Sequence, residues 1–229
     1  ELKLSGIARR IEWAHPSVGS YIATAGEAGC CIFKEVHSHF WSLVFEEAGN
    51  FTSIAWASPE LSNWLAFGTD KGEVLIVKHL GNSAFRSASR FSVDEHVTAL
   101  AWLNPQQSYF SPTRRLLSGS VNGEVKLTVF HDSSVSDELR IEQTVLMNLR
   151  SAVVRIASSM TQDAVALSCQ GKVHLLSGTE FDHKQEIVLE GVEAQLSWSV
   201  LGSVLTVAQA PKTTLFFEQS ASGEWIKSK

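Results

Sequence analysis

The chain has 229 residues, 44% of them hydrophobic and 19% charged, and carries a formal net charge of −5. That balance argues for a packed globular fold and against a disordered or membranous chain, and the length allows one or two domains. The acidic balance gives no broad basic field, so direct nucleic-acid binding is not expected.

The first predicted element is IEWAHP, Ile11 to Pro16. Its apolar-x-Trp-x-x-Pro phrase returns as IAWASP (Ile54 to Pro59) and LAWLNP (Leu100 to Pro105), and in worn form as LSWSVL from Leu196. Trp13, Trp56, Trp102 and Trp198 stand 43, 46 and 96 residues apart, and the last interval is two periods of 48. The missing member falls in AVVRIASS, Ala152 to Ser159, where Ser158 takes the Trp place. Five units of about 40–50 residues result, the length of a four-stranded propeller blade.

Each unit continues in the same order. In the first, YIATAG (Tyr21 to Gly26) is followed by the turn EAG, the strand CCIFKEV and the more polar FWSLVFEE. The second runs WLAFGT, DKG, EVLIVKHL, AFRSASRF. The third has LLSGS, VNG, EVKLTVFH, LRIEQTVL, and the fourth AVALSC, QG, KVHLLSG, KQEIVLE. The fifth has VLTVAQ, the departing turn APK, then TTLFFEQ and GEWIKSK. Turn glycines supply the φ > 0 that tight hairpins require. Short strands at regular spacing with turn signals predict an all-β fold, an open WD-type β-propeller with about five blades. One domain over residues 1–229 is expected, with blades near 1–46, 47–92, 93–147, 148–189 and 190–229. Small residues in the second strand suit the crowded centre, and polar ones in the fourth suit a wet rim. The indole is expected to wedge neighbouring blades apart and the proline to end the strand.

Chemistry is sparsely written. Three cysteines, Cys30, Cys31 and Cys169, form no disulfide framework and point to a reducing compartment. Cys30 and Cys31 are adjacent on a strand and face opposite ways, which suits blade filling better than a shared metal. No apolar run approaches the roughly 20 residues of a spanning helix, and ELKLSGIARR lacks the core of a signal peptide. His37 and His39 share a face but lack a third ligand of clear spacing. Asp94-Glu95-His96 reads as a capped loop rather than a catalytic dyad, and Glu46 and Glu47 as a solvated pair. Arg114 and Arg115 read as a solvated loop rather than a phosphate site. His131 to Arg140 is an exposed loop whose serines invite phosphorylation. No P-loop, nucleophile elbow or zinc-protease motif occurs, so no catalytic residue, cofactor or metal is assigned and the chain is read as a non-enzyme.

The units resemble WD-type blades that have lost the Trp-Asp ending: Phe33-Lys34, Val77-Lys78 and Phe130-His131 stand there, and the blade-turn Asp survives as Asp70 or is replaced by Asn122. WAHP with Gly19 is similar to the second blade of the Sec-thirteen/Seh-one propellers. LNPQQSYFSPTRRLLSGSVNGEVKL, with Arg114 and Arg115, resembles their fourth blade, AVVRIA the opening of the fifth, and LSWSVLGSVLTV with GEWIKS the sixth. The Sec-thirteen branch fits better than Seh-one, and the family's first blade has no counterpart.

The resemblance implies an open ring of a six-bladed pattern and a non-enzymatic scaffold in a hetero-oligomer. An α-solenoid coat or nucleoporin subunit would insert a β-blade, a form of β-augmentation. The sites implied are the COPII vesicle coat and the nuclear pore complex, with relatives in nutrient signalling. Localisation would be cytoplasmic, at ER-derived coats or the nuclear envelope, touching membrane only through the coat. Exposed edges are expected in the first and last units, with Ile7, Ile11 and Trp13 as candidate partner contacts at the start. Val204, Val207, Phe216 and Phe217 are the candidates at the end. The competing readings are a generic WD-like adaptor that binds short peptides on its top face and, with few ionisable groups on the inner strands, a propeller enzyme.

Overall fold

The computed structural model describes residues 6–37, 40–61, 64–105, 113–132, 139–159, 161, 163–178, 180–191, 194–209, 213–220 and 222–228. These form twenty strands in five antiparallel sheets of four, each sheet ordered as its strands occur in the chain. Blade 1 comprises β1 (Ala8–Trp13), β2 (Tyr21–Gly26), β3 (Gly29–His37) and β4 (Phe40–Ala48). Blade 2 comprises β5 (Phe51–Trp56), β6 (Trp64–Thr69), β7 (Glu73–His79) and β8 (Phe85–Ser92). Blade 3 has β9 (Val97–Trp102), β10 (Arg114–Ser120), β11 (Glu124–Asp132) and β12 (Leu139–Asn148). Blade 4 has β13 (Val153–Ser158), β14 (Ala164–Cys169), β15 (Lys172–Ser177) and β16 (His183–Val188). Blade 5 has β17 (Ala194–Trp198), β18 (Val204–Gln209), β19 (Thr213–Gln219) and the short β20 (Trp225–Lys227). The first and third sheets run to Ala48 and Asn148, just past the limits of 46 and 147 expected from the sequence.

The Trp strand is innermost. β1, β5, β9, β13 and β17 pack side by side in that order, and among the described residues no comparable packing joins β17 back to β1. The ring is therefore open between blades 5 and 1. Each motif tryptophan ends its strand, as the proline after Trp13, Trp56 and Trp102 anticipates, and three of the four reach back to the preceding blade. Trp102 Nε1 donates to the Ala55 carbonyl at 3.0 Å, Trp198 Nε1 to Ala157 at 2.9 Å, and Trp56 Nε1 to Glu12 at a longer 3.4 Å. Ser158, in the Trp place, keeps the direction and donates to the Trp102 carbonyl at 2.6 Å. A second bond runs the other way near the opposite end of the inner strands. Thr52 Oγ1 donates to Val97, Thr98 Oγ1 to Val153 at 2.6 Å, and Ser168 Oγ to Ala194 at 3.1 Å, each on the next blade. Such bonds satisfy inner-strand carbonyls that have no further ladder.

Four apolar clusters fill the four wedges between neighbouring blades. The small second strand is what lets the blades close up. A Cβ on Gly119 would lie 2.6 Å from Val153 Cγ1, and one on Gly68 2.5 Å from Val97 Cγ1. β2, β6, β10 and β14 are buried over nearly every residue, and β6, β10 and β14 are sandwiched between two neighbouring blades.

Candidate functional site

The open junction has two unlike walls. On blade 1 the register sets Trp13 beside Ile22 and Phe33 and Ile11 beside Thr24 and Cys31, all on the side away from blade 2. The same face carries Leu43 and Trp41 through their pairing with Phe33 and Glu35. Trp13 and Trp41 meet edge to face, 5.5 Å between centroids. Trp13 is 63% exposed, whereas Trp102, the same motif position at a closed junction, is 4% exposed. Ile7, Ile11 and Leu43 are exposed beside it.

On blade 5, β18 alternates strictly: Leu205, Val207 and Gln209 are buried, while Val204, Thr206 and Ala208 are half-open. Cross-strand pairing places Phe216 with Thr206, and Ile226 with Glu218 and Val204, on this free side. Phe216 and Ile226 are both exposed. Ten of the fourteen exposed large hydrophobics among the described residues belong to blades 1 and 5, so apolar exposure concentrates in the two units that flank the gap.

The expected contact residues divide accordingly. Ile7, just before β1, is exposed, and Ile11, Trp13, Val204 and Phe216 lie on the open walls. Val207 and Phe217 do not: they are 0% and 5% exposed and pack on Ala166, Val173 and Leu175 of blade 4. The sequence shows two apolar faces on these strands, and the register with Leu205 gives Phe217 to the closed one. Trp41, Leu43 and Ile226 were not anticipated. Their signal was present in the apolar positions of FWSLVFEE and GEWIKS, but face assignment needs the pairing.

A carboxyl also stands at the inner end of the first junction. The residue before the motif Trp is Ala55, Ala101 and Ala157 in blades 2 to 4, but Glu12 in blade 1. Burial pushes the Glu12 carboxyl up to about 7, against the smaller opposing pull of the Trp56 backbone N–H, which donates to it, and of Arg155 and Arg10.

Other sequence candidates are structural. Arg115 is buried rather than solvated, with its guanidinium 3.8 Å from Asp163 and 6.0 Å from the Phe181 ring, and Arg114 lies 4.8 Å over Trp64. The expected solvated loop is thus the start of β10, where the Phe181 ring and the Asp163 carboxylate offset the desolvation of Arg115 and the Trp64 ring faces Arg114. Asp94 accepts from Lys126 Nζ at 2.8 Å, and the same ammonium bonds the Val93 carbonyl and Glu124. Burial opposes the Lys126 charge, but those carboxylates leave its pKa above the usual value. Cys30 and Cys31 are buried free thiols, and burial pushes both pKa values up, which leaves them unreactive. Asp70 accepts from Asn50 at 2.6 Å. His39, the 106–112 segment, the serines of 133–138 and the APK turn lie outside the described residues. Among the described residues no group of three ligating side chains is placed to hold a metal.

No protein-family model matches the chain. It is 25% identical to "Protein transport protein SEC13-2" of Candida glabrata, covering 93% of this chain and 78% of that protein. "Protein transport protein sec13" of Aspergillus fumigatus is 20% identical, with coverage of 96% and 79%, and its Emericella nidulans namesake is 21% identical at the same coverage. Among solved structures, the β-propeller domain of Myceliophteria thermophila Cps50 (Swd1) superposes with a TM-score of 0.71 at 12% identity, covering 99% of this chain and 72% of that one. A chain of the mitotic checkpoint complex gives 0.67 at 16% identity, covering 97% and 65%.

Proposed function

Starting from a Sec-thirteen/Seh-one-like WD propeller, we propose that this chain is a non-enzymatic scaffold of protein transport whose open junction takes a β-blade from an α-solenoid partner. One observation carries the reading. Trp13 presents the same wedge that Trp56, Trp102 and Trp198 drive into a preceding blade, and among the described residues no blade packs against it. The blade 5 wall supports it with an uncovered β18 face and an exposed Phe216. In this reading the partner belongs to the COPII coat or to the nuclear pore scaffold. The protein then works at ER-derived coats or the nuclear envelope and meets membrane only through its partner.

The test is co-expression with a coat or pore solenoid subunit that carries its blade segment. A monodisperse 1:1 complex is expected, in which Trp13 emission shifts to the blue and becomes shielded from iodide. A chain that is a stable monomer alone and ignores every such subunit would overturn the proposal.

A further inference from the structure

The outer rim of the ring is a row of fourth strands. An exposed strand edge offers its backbone to any strand that fits, unless something interrupts it. Three of these rims are interrupted. β4, β8 and β12 each hold one unpaired extra residue, at Val44, Ala88 and Leu146. A bulge of this kind bends the strand and leaves its edge uneven. On the last blade, β20 pairs over only three residues. Blade 4 is the exception. There β16 pairs with β15 without a break, from His183 opposite Ser177 to Val188 opposite Lys172. Its six residues, HKQEIV, are half-buried or exposed throughout.

The charges on this edge are ordered. Alternation sets Lys184 and Glu186 on the face turned to blade 3, beside Leu176 and His174. His183, Gln185 and Ile187 lie on the face turned to blade 5. There the Gln185 carboxamide accepts from the Trp225 N–H at 2.8 Å and donates to the Trp225 carbonyl at 2.7 Å, which holds β16 in place against its neighbour.

Two such edges can meet antiparallel only about a two-fold axis normal to the sheet, which keeps like faces on the same side. Three registers then centre on the middle of the strand. An axis at Lys184 sets lysine against lysine, and one at Glu186 sets glutamate against glutamate. An axis at Gln185 sets Lys184 against Glu186 of the second copy, and Glu186 against its Lys184. Opposite charges facing across a ladder stabilise the pairing and like charges oppose it, so the sequence selects the third register. That register also brings Ile187 of the second copy opposite His183, beside a cleft of about 640 Å³ that His183 lines with Leu175 and Trp225.

We infer that β16 is a docking edge for a second copy of this chain: two β16 strands pair antiparallel about Gln185 and join two blades of four strands into one continuous sheet. The contact is isologous. It lies on the rim, outside the open junction, and does not depend on what fills that junction.

The experiment follows self-association of the full chain by sedimentation equilibrium, with hydrogen exchange read on the strand edges. A monomer–dimer equilibrium is expected, with slower exchange over His183–Val188 as concentration rises and no change in β4, β8 or β12. Lys184→Glu or Glu186→Lys places like charges in both cross-strand pairs and should weaken the dimer at least about tenfold. The two substitutions together restore both pairs and should return the Kd to within about threefold of the parent. Thermal midpoints near the parental value show that each variant folds. A monomer at every concentration, a dimer that ignores both reversals, or reversals that fail to compensate each other overturns the inference. Protection of β16 that appears only when a different chain is added assigns the edge to a foreign strand and equally overturns it. Association through the open junction is indifferent to these charges, which separates it from the β16 dimer.

Discussion

The two walls of the gap are built in opposite ways. On blade 1, β2 is buried throughout although no blade covers its outer side, because Trp13, Trp41 and Phe33 lie on that side of the sheet. On blade 5, the equivalent β18 carries Val204, Thr206 and Ala208 toward the gap and stays half-open. One wall is a finished wedge that needs a surface to press on. The other is a shallow bed that needs something to cover it. Hydrophobic burial favours filling both, at roughly 25 cal/mol per Å² of apolar surface removed from water, but only the first wall dictates the shape of what fills it.

The contrast is sharpest in paired substitutions. Trp102→Ala should destabilise by about 3–5 kcal/mol, through the cavity left in a closed wedge, while Trp13→Ala should cost under about 1 kcal/mol in the isolated chain. Urea denaturation measures both, and equal losses would show that the first wall is not open. Phe217→Ala against Phe216→Ala repeats the comparison on blade 5, with a loss of about 3 kcal/mol or more for the buried ring and little for the exposed one.

Glu12 gives a pH-dependent version. Its carboxyl titrates at about 7 in the fold against an ordinary 4.5, so between those values the folded state binds more protons than the unfolded state. Stability is then fully present below about pH 4.5 and falls as pH rises toward 7, by at most about 3 kcal/mol at 1.36 kcal/mol per unit. Partial exposure of the side chain reduces that figure. Glu12→Gln should flatten the dependence, as thermal midpoints across pH 4.5–8 will reveal, and an unchanged slope assigns it to other groups. Gly119→Ala should cost about 1–3 kcal/mol, because its Cβ would press on Val153. Ala208→Leu on the open wall should cost less than about 1 kcal/mol.

Much of this was readable from residue order. The spacing of Trp13, Trp56 and Trp102 announces the repeat, and YIATAG, WLAFGT and AVALSC announce strands crowded on both sides. The open ring followed from having five units in place of six. What could not be read was which face of a strand meets which neighbour. VLTVAQ and TTLFFEQ are apolar on alternate residues, but only the pairing of Leu205 with Phe217 shows that Val207 and Phe217 turn inward and Phe216 outward. Arg115 misled for a related reason: a charged pair beside a polar loop looks solvated until Asp163 and Phe181 arrive from another blade. Glu12 hides in the same way, since a carboxylate at the place that Ala55, Ala101 and Ala157 take in blades 2 to 4 gains its meaning from the neighbouring Trp56.

The indole-to-carbonyl bonds all run in one direction, from each unit to the one before it. The five described blades therefore make a segment with unlike ends, a head at Trp13 and a tail at the β18 face. A two-fold axis cannot mate such ends, because that symmetry sets like against like. Two copies that met through them would do so head to tail, and the contact would repeat into a filament unless its rotation closed a ring. A bound segment at either end acts as a terminator, so that its concentration relative to this protein decides between discrete particles and polymer.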